Sequence, residues 1–220
     1  MNFLNGIEAV TFDVGGTLIE PWPSVGDIYA KVAAENGIQV KPEILNHLFA
    51  AAWKAKKNFE HSKSDWSNLV DATFANLVKT PPSQTFFPKL FDAFAKADAW
   101  RIYEDVLPTL ERLSERGLKL AAISNWDERL RPLLHELKLD SFFTGIFVSI
   151  DLAPKPSRKI FEAAAEMLEV TPGKILHVGD SRVEDFHGAG EAGFRALWLR
   201  RNLPVAAPEQ ILRLSELISD

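Results

Sequence analysis

The sequence of 220 residues contains no cysteine, which excludes a disulfide framework and any metal site built on thiolates. It has no run of roughly 18 apolar residues, so we expect no membrane-spanning helix and no membrane partner. The formal net charge is −5 and there is no basic stripe, so we expect no nucleic-acid partner. The first ten residues lack the pattern of a signal peptide, and the missing cysteine fits a reducing compartment. We therefore expect a cytoplasmic protein.

Short apolar segments alternate with amphipathic segments along most of the chain. The segments rich in strand-forming residues are 8–12, 119–124, 145–150, 174–179 and 195–199. Helical patterns lie between the later ones, at 106–117, 128–139 and 157–170, and Gly117 and Pro172 stand where helices should end. Alternating strands and helices predict an α/β fold with a doubly wound parallel sheet.

A long insert separates the first predicted strand from the second. The interval of roughly a hundred residues is far longer than one crossover loop. Residues 21–100 have mostly helical patterns, and prolines such as Pro21 and Pro23 mark their margin. We predict a helical cap at 21–100, inserted after the first strand into a catalytic core formed by residues 1–20 and 101–220.

Polar residues follow four of the predicted strands: Asp13, Ser124 with Asn125, Lys155 and Asp180. In an open parallel sheet such residues converge on one crevice beyond the carboxyl ends of the strands. An aspartate can act as a covalent nucleophile, and two carboxylates that share a crevice need a cation such as Mg²⁺ between them. Hydroxyl, backbone and ammonium donors suit phosphate oxygens. The set predicts phosphoryl transfer.

Four segments of this chain resemble the four motifs of the haloacid-dehalogenase superfamily. They are 13–18 (DVGGTL), 123–125 (ISN), 155–156 (KP) and 179–185 (GDSRVED). They occur in the expected order, and the resemblance covers nearly the whole chain. The insert after the first motif resembles the cap of subfamily I, and 100–113 and 177–193 resemble the branch of haloacid-dehalogenase-like domain-containing proteins. The resemblance implies a Rossmann-like core with a cap.

The resemblance also implies a magnesium site. Asp13 would be both the nucleophile and a Mg²⁺ ligand, and Gly15 would offer its backbone carbonyl to the metal. Asp180 would be a further ligand. Asp185 would be either a ligand, often through water, or a residue that orients the others.

A phosphate site is implied by the same motifs. Ser124 and Asn125 would bind the phosphate of a small phosphorylated substrate, and Thr17 would support the loop that carries Asp13. Lys155 would neutralise both the phosphate and the nucleophile.

The sequence departs from the family pattern at Gly15. Phosphatases of the family place a second aspartate there, which protonates the leaving group and then activates water. General acid–base help of this kind is worth about 10²–10⁴ in rate. Related dehalogenases carry an aromatic residue at this position and phosphonatases a small one. We therefore expect a Mg²⁺-dependent phosphatase that is slowed by the missing acid.

Three alternatives stay open at this point. A haloacid dehalogenase usually binds its substrate carboxylate through a cap arginine, but Arg101 is the first arginine in the chain. A phosphonatase needs a Schiff-base lysine, for which Lys54, Lys56 and Lys57 are candidates. A catalytically impaired relative that binds a ligand or partner is favoured by Gly15 alone. The substrate and the oligomeric state are not predicted.

The positions of four further residues predict their roles. Trp22 and Trp126 fall near the predicted crevice and are candidates to line it. Asp127 has the position of a helix N-cap. His177, on a predicted strand, is expected to be a hydrogen-bonded core residue.

Overall fold

The computed structural model describes residues 3–201 and 207–219. The strands are β1 Ala9–Phe12, β2 Ile19–Pro21, β3 Trp100–Ile102, β4 Lys119–Ser124, β5 Gly145–Val148, β6 Ile175–Gly179, β7 Arg195–Leu199 and β8 Gln210–Ile211. The α-helices are α1 Val25–Glu35, α2 Pro42–Ala55, α3 Lys63–Phe74, α4 Phe87–Ala93, α5 Val106–Glu115, α6 Leu130–Glu136, α7 Arg158–Leu168 and α8 Gly188–Glu191.

Six of the strands form a parallel sheet in the order β5-β4-β1-β6-β7-β8. The strand β1 lies in the interior of this sheet and pairs with β4 on one side and β6 on the other. All four residues of β1 are buried, as expected for a strand covered on both faces. The predicted α/β class with a doubly wound parallel sheet is confirmed.

The chain folds into two compact units. One contains the residues up to Ile19 together with those from Ile102 onward, and the other contains Glu20–Arg101. The strands β2 and β3, where the chain passes between the units, pair with each other. No helix in the described ranges has the length and apolar character needed to cross a membrane.

The helix α7 shows why the first unit packs as it does. Its buried residues are Ile160, Phe161, Ala164, Ala165 and Leu168, whose spacing places them on one stripe. That stripe packs on β4 and β5 and shares a core cluster with small residues such as Ala9 and Ala121. Because the small strand residues leave room, the helix lies close against the sheet.

The second unit is helical and has its own core. Aromatic and aliphatic side chains from α1 to α4 meet there, among them Tyr29, Phe74, Phe86 and Leu90. The helix α3 begins with a capping box, in which Ser62 and Asp65 bond to each other's backbone. This unit therefore holds a sizeable hydrophobic core of its own.

Two predicted elements end earlier than expected. The strand predicted at 145–150 stops at Val148, because Ser149 enters a 3₁₀ turn and its hydroxyl bonds to the backbone of Trp126. The helix predicted at 128–139 is shortened to Leu130–Glu136. Asp127 does not cap it; its carboxylate pairs with the Arg129 guanidinium at 2.6 Å. A π-helical turn at Arg182–His187 was not predicted.

Candidate active site

Three neighbouring strands deliver polar residues to the same edge of the sheet. In the parallel register, Phe12 of β1 lies opposite Ala122 of β4 and Val178 of β6. Asp13 follows β1 directly, and its backbone N–H donates to the Val178 carbonyl at 2.9 Å. Ser124 ends β4, and Asp180 follows β6. The sheet therefore brings these three side chains to one place.

Asp13 is buried, with 6% of its surface exposed, and its carboxylate is held by three donors. Its Oδ1 accepts hydrogen bonds from Ser124 Oγ at 2.9 Å and from Lys155 Nζ at 2.7 Å. Its Oδ2 accepts a longer one from Thr17 Oγ1 at 3.3 Å. Burial and the charge of Asp185 raise the pKa of Asp13 above its ordinary value, and Lys155 and Ser124 offset part of that rise. The contacts orient the carboxylate and favour its charged form.

Lys155 is buried and its ammonium bridges two carboxylates. Besides Asp13, Nζ donates to Asp185 Oδ1 and, at 3.0 Å, to the Ile123 carbonyl. Burial alone lowers the pKa of Lys155, but the charges of Asp13 and Asp185 outweigh it and raise the pKa above its ordinary value. Lys155 is therefore a fixed positive charge and not a proton donor at neutral pH.

Asn125 holds the loop that carries Lys155. The Asn125 Oδ1 accepts the Lys155 backbone N–H at 2.6 Å, and Nδ2 donates to the Lys155 carbonyl at 3.0 Å. The amide group of Asn125 is thus occupied by the backbone. The Asn125 backbone stays the predicted donor to phosphate.

Asp185 is fully buried and accepts from three donors. Ser181 N–H donates to Oδ2 at 2.9 Å, and Oδ1 accepts from Lys155 and lies 3.2 Å from His177 Nε2. Burial raises the pKa of Asp185, but Lys155 and the hydrogen bond from His177 lower it well below the usual range. A carbon at the Cβ position of Gly179 would lie 2.2 Å from the Asp185 carboxyl carbon. Glycine at 179 therefore makes room for this buried carboxylate.

His177 of β6 is buried and contacts Asp185. Because a carboxylate only accepts, His177 Nε2 carries the hydrogen toward Asp185. Burial lowers the pKa of His177, so the ring is neutral and its Nδ1 accepts from Thr11 Oγ1 at 2.9 Å. The expected core histidine is hydrogen-bonded, but its contact with the site was not predicted from the sequence. The same-face spacing of residues 177 and 179 on β6 could have indicated it.

Asp180 is exposed to solvent, unlike Asp13 and Asp185. Desolvation by the surrounding protein, together with the charges of Asp13 and Asp185, nevertheless raises the pKa of Asp180 to about 8. Carboxylate oxygens of the three residues lie within 4.8 Å of one another. The Asp180 carboxylate also lies against Gly16, where a Cβ would come 2.5 Å from its Oδ2. Gly16 has a φ of +77°, so both its backbone conformation and the space beside it require glycine.

Gly15 differs from Gly16, because its backbone lies outside the left-handed region. A Cβ at position 15 would lie 3.2 Å from Cζ3 of the Trp126 ring. The structure therefore places an aromatic edge beside position 15, where phosphatases of the superfamily that this sequence resembles carry a second aspartate. Trp126, one of the two tryptophans predicted near the crevice, therefore lies beside the segment 13–18 that follows β1.

Trp22 and the three lysines considered for a Schiff base belong to the second unit. Glu20 forms an ion pair with Arg101, whose guanidinium also stacks on the ring of Trp22 at 3.6 Å. Lys56 Nζ lies 3.6 Å from the centre of the Trp53 ring. Lys54 and Lys57, the other two candidates for a Schiff base, are exposed.

Comparison with known proteins identifies the family of this chain. The model of the haloacid dehalogenase-like hydrolases matches residues 7–193, so the chain belongs to that hydrolase family. It is similar to the haloacid dehalogenase-like hydrolase domain-containing protein 3 of Mus musculus, with 32% identity over 89% of this chain and 83% of the relative. The predicted resemblance to the superfamily and to this branch is confirmed.

Solved structures of two different activities resemble this fold. A HAD phosphatase from Thermococcus onnurineus has 26% identity and a TM-score of 0.70, with 96% of each chain covered. A 2-haloacid dehalogenase from Pseudomonas syringae has 25% identity and a TM-score of 0.68, again with 96% of each chain covered. The two similarities are nearly equal, so the choice between these activities depends on the site itself.

Proposed function

We propose that this hydrolase is a Mg²⁺-dependent phosphatase that acts on a small phosphorylated metabolite through an aspartyl-phosphate at Asp13. The observation that carries the proposal is the buried Asp13 carboxylate, bonded at 2.9 Å by Ser124 and at 2.7 Å by Lys155. A nucleophile flanked by a hydroxyl and an ammonium group suits an incoming phosphate, whose negative oxygens need such donors.

The carboxylate cluster fits a magnesium ion. Asp13, Asp180 and Asp185 offer oxygens within 4.8 Å of one another, and Mg²⁺ prefers oxygen ligands. Lys155 compensates part of the negative charge of the cluster, while desolvation together with the charges of Asp13 and Asp185 raises the pKa of Asp180. We propose Asp13, Asp180 and the Gly15 carbonyl as ligands. Asp185, whose oxygens accept from Lys155, His177 and Ser181, orients the ammonium group.

The reaction follows from these positions. An oxygen of Asp13 attacks phosphorus, the bond to the leaving oxygen breaks, and the leaving group takes the electron pair. Ser124 and Lys155 hold the phosphoryl oxygens during the transfer, and Thr17 keeps the Asp13 carboxylate oriented. When bound, Mg²⁺ supplies further neutralisation of negative charge. Water then attacks the phosphorus of the aspartyl-phosphate and gives its proton to the solvent. The bond between phosphorus and the Asp13 oxygen breaks, which regenerates the carboxylate and releases phosphate.

Gly15 slows the first step for a basic leaving group and slows the second step for every substrate, because the same aspartyl-phosphate is hydrolysed each time. Its position supplies no proton to the leaving oxygen and no base for the attacking water. The protein should therefore prefer activated phosphates, such as acetyl or p-nitrophenyl phosphate, whose leaving groups are weak bases.

A phosphatase panel with and without Mg²⁺ tests the proposal. We expect turnover that requires Mg²⁺ and is lost in Asp13→Asn, because an amide does not replace the nucleophile. Asp151→Asn is the matched control, since Asp151 is exposed and pairs only with Arg131 at the surface among the described residues. Undiminished Mg²⁺-dependent turnover in purified Asp13→Asn would contradict an aspartyl-phosphate.

A dehalogenase is the second candidate, favoured by the structural similarity to the enzyme from Pseudomonas syringae. Against it, the second unit holds a single arginine, Arg101, which pairs with Glu20 and stacks on Trp22. Chloride release from 2-chloropropionate, measured beside the phosphate panel, distinguishes the two. Chloride release without phosphate release would replace the phosphatase proposal.

A further inference from the structure

Trp126 lies two residues beyond Ser124, the last residue of β4, and its backbone is held by Ser149. Its backbone N–H donates to Ser149 Oγ at 3.0 Å, and Ser149 Oγ donates to the Trp126 carbonyl at 3.0 Å. The following residue, Asp127, is buried and paired with Arg129. Hydrogen bonds therefore hold the backbone on both sides of the tryptophan, and the ring contacts the space beside Gly15.

The loops after β1 and β4 meet at two points. Ser124 Oγ contacts Asp13 Oδ1 at 2.9 Å, and the Trp126 ring contacts the space beside Gly15. From the Cβ position of Gly15, the ring carbon Cζ3 is 3.2 Å away and Cη2 is 3.9 Å away. The benzo edge of the indole thus takes the room of a side chain at position 15, and 9% of Trp126 remains exposed.

We propose that Trp126 determines leaving-group specificity and selects aryl phosphate monoesters. The inference rests on the proposed phosphoryl transfer at Asp13. An indole edge delivers no proton, but it packs favourably edge-to-face against an aromatic ring. An aryl oxide also leaves without the proton that Gly15 does not provide. The missing acid and the aromatic edge therefore favour the same class of substrate.

Binding of non-hydrolysable phosphonates tests the role of the ring without any turnover. Calorimetry in the presence of Mg²⁺ compares phenylphosphonate with methylphosphonate in the wild type, Trp126→Leu and Trp126→Phe. We expect the wild type to prefer phenylphosphonate. The preference should fall by about 3- to 10-fold in Trp126→Leu and be largely retained in Trp126→Phe, because only phenylalanine keeps an aromatic edge. Affinity for methylphosphonate should stay within about twofold, since its methyl group offers no ring to the indole.

An unchanged preference in Trp126→Leu, or an equal loss in both variants, would overturn the inference. A second comparison uses only the wild-type protein and so does not depend on whether the variants fold. Phenylphosphonate should bind more tightly than cyclohexylphosphonate, which has similar bulk and no aromatic ring. Equal binding of these two, or no binding of any phosphonate, would also overturn it. Absence of hydrolysis on every phosphate contradicts the proposed function instead, because the phosphonate affinities do not depend on turnover.

Discussion

Restoring an acid at position 15 is the sharpest test of why this site differs from other phosphatases. The Gly15 backbone lies outside the left-handed region, so Gly15→Asp introduces no backbone strain of that kind. The obstacle is the Trp126 ring, because a Cβ at 3.2 Å must gain a few tenths of an ångström to reach ordinary contact. Overpacking of this kind costs about 1–3 kcal/mol.

The rate enhancement from acid–base catalysis and the strain against Trp126 together determine the change in turnover that we expect for Gly15→Asp. A general acid and base contribute about 10²–10⁴ in rate. A strain of about 2 kcal/mol, if it displaces the new carboxylate, lowers this rate enhancement by roughly 30-fold. For Gly15→Asp alone we expect turnover of an alkyl phosphate to rise about 30-fold. In Gly15→Asp with Trp126→Phe, the smaller ring should bring the gain closer to about 10³.

The assay is kcat/KM for glycerol phosphate and for p-nitrophenyl phosphate in saturating Mg²⁺. The gain should appear mainly with glycerol phosphate, whose alkoxide leaving group needs a proton. Gly15→Asn is the matched control: it has the same bulk and should lower Tm equally but give no gain. A folded double variant that binds Mg²⁺ and gains nothing would refute the reasoning. A wild type already fast on glycerol phosphate would refute it as well.

Three further predictions concern the titratable residues Lys155, Asp180 and His177. Lys155→Met leaves two buried carboxylates without their cation and should lower the free energy of unfolding by about 3–5 kcal/mol. The control Lys174→Met removes an exposed ion pair and should lower it by less than about 1 kcal/mol. Denaturant titrations measure both values. Asp180 has a pKa of about 8 without metal, so Mg²⁺ affinity should weaken by up to about tenfold per pH unit below that value. Calorimetry in buffers of different ionisation enthalpy should detect the proton that Asp180 releases when Mg²⁺ binds at neutral pH. The Asp180→Ala variant should lose both the proton release and most of the Mg²⁺ affinity. Unchanged Mg²⁺ binding in that variant would contradict the ligand assignment. His177 has a lowered pKa, so only the unfolded chain gains its proton as the pH falls below about 6.5, and stability should drop by up to about 1.4 kcal/mol per pH unit. A His177→Gln protein with the same pH dependence as the wild type would argue against a neutral buried ring.

The sequence alone determined most of the sheet and which polar residues follow its strands. Alternation of short apolar segments with amphipathic ones is a local pattern, and it predicted β1, β4, β5, β6 and β7 of the parallel sheet, whereas the two-residue strand β8 was not predicted. Since parallel strands end at one edge, the residues that follow them must meet there, whatever the loops do. Asp13, Ser124 and Asp180 were therefore predictable as neighbours before any distance was known.

Only the tertiary structure decided how these residues affect one another. It placed Trp126 beside Gly15, turned the Asn125 amide toward the Lys155 backbone, and brought His177 to Asp185. Each of these contacts depends on the path of a loop or on the choice of a partner strand. The periodicity of apolar residues in the sequence specifies neither. The pKa values have the same origin, since burial and neighbouring charge exist only once distant segments have packed together. The sequence identified the groups, and packing set their charge, their orientation and the space left beside them.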